Sequence, residues 1–174
     1  AARNGIRVLG PNTLGIINSF AGFTASFMPV TRQRVGVGLI CQSGIHFVGP
    51  TKFSGMIGKG VDLGNSCDIG FYDALKYFAE DPDIQVIAIH MEGLNQGKDF
   101  LPLAARVVKE KPIVVHKSGR SETAAKAAMS HTGSLAGADI AYGAAFSRAG
   151  VIRAPTFEAM LAALPEGVPT ITRL

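Results

Sequence analysis

The strongest chemical signal in the chain is a histidine set among small residues, Ser130-His131-Thr132-Gly133-Ser134-Leu135-Ala136-Gly137. A loop with so little bulk lets an imidazole stand clear of the backbone while nearby amide N–H groups face an anion. The chemistry this suits is acceptance and onward transfer of a phosphoryl group by His131. Such a nucleophile must present one ring nitrogen unprotonated. A carboxylate bonded to the other ring N–H fixes that tautomer and stabilises the positive charge that develops. Glu92, which ends an apolar run and precedes Gly93, is the candidate partner; its competing role is that of a salt-bridged turn glutamate.

A second anion site is expected at Gln42-Ser43-Gly44-Ile45. Here a helix begins directly after a strand, so free N–H groups and the positive end of the helix dipole are available, and Gly44 lets a ligand approach the backbone. Capping by Ser43 alone is the competing explanation. The other histidines carry less weight. His90 and His116 end apolar strands, where bonding to a neighbouring carbonyl accounts for them. His46 lies in the first turn of the helix, where the dipole keeps it neutral, and it can either reach the anion site or pack beneath it. No histidine or cysteine pair has metal-ligand spacing, so no metal site is expected.

The elements that must hold these residues alternate. Strands are expected at Val35–Cys41, Val61–Leu63, Ile84–His90, Ile113–His116 and Val151–Arg153, with helices at Gly44–Phe53, Ile69–Glu80, Phe100–Lys109, Asp139–Ala149 and Thr156–Leu164. Phe71, Ala74, Leu75 and Phe78 recur at helical spacing. Strands and helices in this order form a parallel sheet covered on both faces, here a flavodoxin-like, doubly wound, five-stranded α/β sheet. Ligands of that architecture sit beyond the carboxyl ends of the strands. Small and polar residues stand there four times: Gln42-Ser43-Gly44, Gly64-Asn65, Glu92-Gly93 and Lys117-Ser118-Gly119-Arg120, with His131 in the loop that follows.

Upstream, Gly5–Gly10 reads as a lone strand and Gly10-Pro11-Asn12-Thr13-Leu14-Gly15 as a turn. Because one strand cannot satisfy its own edges, residues 1–18 are expected to be the tail of a preceding domain. Residues 19–34 would be a linker, 35–165 the flavodoxin-like domain and 166–174 a tail toward a further domain. The chain is therefore expected to be a piece of a longer protein.

The 174 residues suffice for a buried core, and 47% hydrophobic against 17% charged residues argues against disorder. A net charge of +4 with scattered lysines and arginines gives no footprint for nucleic acid and suits small anions. No apolar run is long enough to span a bilayer, and Cys41 and Cys67 form no disulfide framework, so a reducing cytoplasm is expected.

Taken in order, Gly10-Pro11-Asn12-Thr13-Leu14-Gly15, Gln42-Ser43-Gly44, Gly64-Asn65, Glu80-Asp81-Pro82, Glu92-Gly93, Lys111-Pro112 through Ser121 and the His131 loop closely resemble the NDP-forming acyl-CoA synthetase superfamily, especially the ADP-forming acetate:CoA ligase branch related to succinyl-CoA synthetase. The resemblance implies that acyl-CoA and phosphate give acyl phosphate and CoA, that the phosphoryl group moves to His131, and that phosphohistidine then phosphorylates a nucleoside diphosphate. It implies Glu92 as the orienting carboxylate and Gln42, Ser43, Gly44, Ile45, Thr132 and Gly133 as phosphate binders. Pro11, Asn12 and Thr13 would stand near the thioester, with Asn65 a further candidate. CoA, ATP or ADP with Mg²⁺, a carboxylate or acyl-CoA, phosphate, and an ATP-grasp domain or subunit in an oligomeric full-length protein are the implied cofactors and partners. Two positions depart from the pattern: Thr13 stands where relatives commonly have cysteine, and Ile45-His46-Phe47 replaces small residues. An acyl-CoA-sensing regulatory module of the same fold is the alternative, and a flavin-binding protein ranks behind both.

Overall fold

A computed structural model describes residues 2–48, 55–119 and 139–164. Its strands are β1 (Ile16–Asn18), β2 (Phe23–Thr24), β3 (Val37–Cys41), β4 (Lys59–Asp62), β5 (Val86–Met91), β6 (Ile113–Lys117) and β7 (Ile152–Ala154). The helices are α1 (Gly44–Val48), α2 (Phe71–Glu80), α3 (Gly97–Val107), α4 (Asp139–Ala149) and α5 (Phe157–Ala162), after a short 3-10 turn at Ala2–Asn4. All seven strands form one sheet in the order β2-β1-β4-β3-β5-β6-β7.

The five strands from β3 onward are mutually parallel. Their order, β4-β3-β5-β6-β7, is the flavodoxin-like winding with its switch point between β3 and β5. β3 and β5 read VGLIC and VIAIHM and are buried at every position, as expected of central strands covered on both faces. Alternation sorts their side chains. Ile40, Ile87, Ile89, Met91, Ile113 and Val115 face α2, α3 and α4 and pack with Leu75, Phe78, Phe100 and Phe146. Val37, Leu39, Cys41, Val86, Ala88 and Val114 face the opposite side, where Phe47 of α1 and Met160 of α5 cover them. Full burial of each large apolar side chain contributes about 1.5–3 kcal/mol before entropy is counted, so both layers are needed.

Two expectations for the first thirty residues change. β1 and β2 are antiparallel additions to the edge of the same sheet, β1 lying on β4 through the pairs Ile16–Val61, Ile17–Gly60 and Asn18–Lys59. Two more strands are therefore present than alternation indicated, because their runs of three and two residues are too short to show a period. Gly5–Gly10 is not a strand. It runs along the 62–69 connection, where Val8 N–H donates to Asp68 Oδ2 at 2.7 Å, Ile69 N–H to the Val8 carbonyl at 3.1 Å and Cys67 N–H to the Gly10 carbonyl at 3.0 Å. These three polar groups are met by a loop of this chain.

Among the described residues no helix is long and apolar enough to cross a membrane.

Candidate functional site

At the carboxyl end of β3, Gln42 is 4% exposed and its side chain reaches across the switch point. Its Oε1 accepts hydrogen bonds from the backbone N–H groups of Glu92 at 2.9 Å and Gly93 at 3.1 Å. A main-chain bond from Gln42 N–H to the His90 carbonyl, 3.2 Å, adds a further tie. The turn carrying Ser43 and the turn carrying Glu92 are thus joined at the place where this winding leaves a crevice.

Glu92 is half-buried, and its neighbours hold that turn in place. Leu94 N–H donates to the Tyr142 hydroxyl of α4 at 3.1 Å, and Ser118 N–H donates to the Met91 carbonyl at 2.9 Å. Lys117 ends β6 at 2% exposure. Its ammonium donates to the Ser118 carbonyl at 2.6 Å and lies 4.9 Å from the centre of the Tyr142 ring. Burial pushes its pKa below the usual lysine range, an effect that Asp139 opposes.

The Gly-Pro-Asn-Thr turn meets the other strand ends through Asp62, whose carboxylate is fully buried at the end of β4. Its Oδ2 accepts from Leu14 N–H at 2.6 Å and its Oδ1 from Gly64 N–H at 3.3 Å. Thr13 Oγ1 donates to the Asp62 carbonyl and accepts from Gly15 N–H at 2.8 Å. Burial raises the Asp62 pKa above the ordinary carboxylate value, while the two N–H donors pull it back. Nearby, Asn65 N–H donates to the Pro11 carbonyl at 2.9 Å, and Asn12 Nδ2 donates to Asn65 Oδ1 at 3.3 Å. Gly64 is required at this crossing. Its φ is +54°, and a Cβ would stand 2.3 Å from the Pro11 carbonyl oxygen.

A cavity of about 500 Å³ opens between this turn and the start of α1. Asn12, Thr13, Ser43, Gly44 and Ile45 line it, together with Asp62 and the apolar Leu14, Phe27 and Val48. Gly44 lets the start of α1 lie close to the turn, because a Cβ there would lie 2.9 Å from the Leu14 side chain. Of the residues singled out in the sequence, Asn12, Thr13, Gln42, Ser43, Gly44 and Ile45 therefore share one cavity. Pro11 and Asn65 support it through hydrogen bonds, and Glu92 is tied to it through Gln42. His131, Thr132 and Gly133 lie outside the described residues.

His46 resolves toward packing. Its ring stacks on that of His90 with centroids 3.8 Å apart and meets the edge of Phe157 at 4.4 Å. His116 lies 5.7 Å from His90 on the same face of the sheet. That face follows from alternation: His90 stands two residues after Ala88 and His116 two after Val114, all on the α1 and α5 side. His90 is fully buried, and Cys41 Sγ lies 3.8 Å from its Nδ1. The His90 Nε2 and His46 Nδ1 atoms are buried without a hydrogen-bond partner among the described residues, so carbonyl bonding does not account for His90 Nε2. Burial, then the charge of His46, holds the His90 pKa well below its usual value; burial, then His116, lowers that of His46. Among the described residues, no group of three or more histidine, cysteine, aspartate or glutamate side chains is arranged to hold a metal ion.

Asp62 and Phe27 were not singled out in the sequence. Asp62 had a readable signal, an acid ending a strand just before Gly64-Asn65. Phe27 had none, since it comes from an irregular segment.

Residues 34–165 match the family described as "Succinyl-CoA ligase like flavodoxin domain". The chain is 45% identical over 166 residues to an ADP-forming acetate–CoA ligase of Methanocaldococcus jannaschii, covering 92% of this chain and 23% of the relative. It is 44% identical over 160 residues to the alpha subunit of ADP-forming acetate–CoA ligase I of Pyrococcus furiosus, covering 90% of this chain and 35% of that subunit. Among solved structures, the dinucleotide forming acetyl-coenzyme A synthetase 1 of Ca. Korarchaeum cryptofilum, in complex with phosphate and ADP, superposes with a TM-score of 0.79 at 37% identity, over 92% of this chain and 36% of that one. The chain thus spans between about a quarter and a third of these relatives' length.

Proposed function

The chain belongs to the family of succinyl-CoA-ligase-like flavodoxin domains, and from that premise we propose that it is the phosphohistidine-carrying piece of an NDP-forming acyl-CoA synthetase. The observation that carries this reading is the pair of hydrogen bonds that Gln42 Oε1 accepts from the N–H groups of Glu92 and Gly93. It ties the turn of the expected orienting carboxylate to the turn of the expected phosphate site, at the position where a parallel sheet of this winding binds ligands.

In the proposed reaction a phosphate oxygen attacks the thioester carbonyl, the C–S bond breaks and CoA leaves as the thiol after gaining a proton. A ring nitrogen of His131 then displaces the carboxylate from the phosphorus of the acyl phosphate. The phosphoryl group finally passes from His131 to the terminal oxygen of a nucleoside diphosphate, giving the triphosphate. Glu92 holds the other ring N–H of His131 and stabilises the charge that develops during transfer. Ser43, Gly44 and Ile45 bind phosphate through hydroxyl and backbone N–H, with Gln42 fixing their position and Thr132 and Gly133 completing the site. Asn12 and Thr13 stand at the thioester end of the cavity with Pro11 behind them, and Asn65 holds Asn12.

The nucleotide and its Mg²⁺ belong to an ATP-grasp domain or subunit, and most of the CoA site to a CoA-binding domain preceding this one, in an oligomeric cytoplasmic enzyme. The free thiols of Cys41 and Cys67 suit that compartment.

The test is ATP synthesis by the full-length parent from acetyl-CoA or a larger acyl-CoA, phosphate and ADP with Mg²⁺. ATP release coupled one-to-one to free CoA is expected. Acyl-CoA binding with no ATP formed would instead mark a sensing module.

A further inference from the structure

Two contacts tie the Ser43 turn to the core, and both lead to the histidine stack. The Ser43 carbonyl accepts from the Cys41 thiol, with Sγ 3.0 Å away, and from the backbone N–H of His46 at 3.1 Å. Cys41 is fully buried, and burial pushes its thiol well above the ordinary range, so it stays protonated and keeps donating. The same sulfur lies 3.8 Å from His90 Nδ1. The His90 ring in turn carries the His46 ring of α1, with centroids 3.8 Å apart.

Packing alone does not call for imidazoles here. An apolar ring would fill the space without burying a nitrogen, whereas His90 Nε2 and His46 Nδ1 are buried with no hydrogen-bond partner among the described residues, an arrangement that costs stability. What an imidazole adds is a charge that appears as pH falls below neutrality. His116 of β6 lies 5.7 Å from His90, so protons on these rings repel one another, and burial opposes each charge. Also facing the rings are Cys41 of β3 and Phe157 and Glu158 of α5. The charge of Lys117, on the other face of β6, acts on His90, and those of Asp62 and Glu92 act on Cys41.

We propose that Cys41, His46 and His90 are positioning residues for the phosphate site at Ser43: the thiol fixes the Ser43 carbonyl, the ring stack fixes α1, and phosphate is held tightly only while the stack is uncharged. This rests on the ligase reading above. None of the three touches substrate. Charging the stack drives the His46 ring off His90 and takes the start of α1, with the Ser43, Gly44 and Ile45 N–H groups, out of register with phosphate.

The experiment measures kcat and the KM values for phosphate and ADP during ATP synthesis by the full-length parent and its Cys41→Ala, Cys41→Ser and His46→Phe variants, from pH 7.5 to 5.5. Cys41→Ala is expected to raise the KM for phosphate by about tenfold while kcat and the KM for ADP change by less than about threefold. Cys41→Ser, which keeps a donor, is expected to restore most of that loss. His46→Phe keeps a stacked ring and removes the charge. The phosphate KM of the parent, divided by that of His46→Phe, is expected to rise by about fivefold or more as pH falls to 5.5; the division cancels the titration of phosphate itself. Equal effects of Cys41→Ala and Cys41→Ser, or KM values for phosphate and ADP that rise together, overturn the positioning role and mark the thiol as packing. A parent-to-variant ratio that stays flat or falls with pH overturns the role of the stack, and this ratio decides alone if Cys41→Ala does not fold. Both results leave the ligase reading standing. No ATP from acetyl-CoA or a larger acyl-CoA, with CoA-competent parent, overturns the ligase reading and this proposal with it.

Discussion

Gln42 Oε1 accepts a 2.9 Å hydrogen bond from the backbone N–H of Glu92, although fifty residues separate them, and so links the two strands that flank the switch point of the sheet. A second bond, from Gly93 N–H at 3.1 Å, makes one amide oxygen responsible for two donors at this crossing.

Replacing Gln42 with methionine keeps the volume and removes that acceptor. The Glu92 and Gly93 N–H groups are then left without it, each at a cost of about 1–3 kcal/mol if water does not replace it. Urea denaturation of the chain is expected to show a loss of about 2–4 kcal/mol, with Gln42→Glu, which keeps an acceptor in place, losing less. Equal losses for the two variants would contradict the hydrogen-bond account.

Asp62 does for the Gly-Pro-Asn-Thr turn what Gln42 does for Glu92. Asp62→Ala removes the acceptor for Leu14 N–H and Gly64 N–H in a fully buried place, with an expected cost of about 2–4 kcal/mol. Amide exchange at Leu14 should accelerate far more than exchange in β5. Unchanged protection at Leu14 would show that the turn is held by other bonds.

The stacked histidines predict a pH dependence. His90 and His46 have pKa values in the fold below the usual histidine value, chiefly through burial, so the unfolded chain takes up protons first as pH falls. Their contribution to stability is complete above about pH 6.5, the unfolded value, and is lost as pH falls below it toward the folded values. The groups facing them are Cys41 from β3, His116 from β6, and Phe157 and Glu158 from α5, and the charge of Lys117, on the other face of β6, also acts on His90. Thermal unfolding between pH 8 and 5 should show a falling midpoint, and His90→Phe should flatten that fall. A midpoint that falls equally in the variant would place the titration elsewhere.

The strands β3, β5 and β6 and the helices α2 and α3 were legible because each carries a run or period long enough to read, and β3 and β6 differ from expectation by two residues or fewer; β7, three residues long, was placed by the alternation of strands and helices around it. β1 and β2 were hidden because two or three residues carry no periodicity, and they are held by pairing with β4. The Ser43–Ile45 side of the site was visible as polar and small residues beyond a strand. The His46–His90 stack was not, because a ring contact at 3.8 Å depends on how α1 sits over β5, which neither local sequence contains. The same holds for Phe27, whose place on the cavity wall is set by tertiary packing alone.

Glu92→Gln keeps the backbone bond to Gln42 and removes the charge. Under the proposed mechanism it reduces phosphoryl transfer through His131 by about 10²-fold or more, measured as single-turnover loss of label from acyl phosphate, with folding stability changed by less than about 1 kcal/mol. A rate within a few-fold of wild type would remove Glu92 from the chemistry.

The central claim is that His131 carries the phosphoryl group. Incubation of the full-length parent with γ-³²P-labelled ATP and Mg²⁺, followed by peptide mapping, tests it directly. Acid-labile, alkali-stable label on the peptide containing His131, discharged by carboxylate with CoA and absent from His131→Asn, is the predicted result. CoA-competent, catalytically active protein that acquires no label at His131 would contradict it.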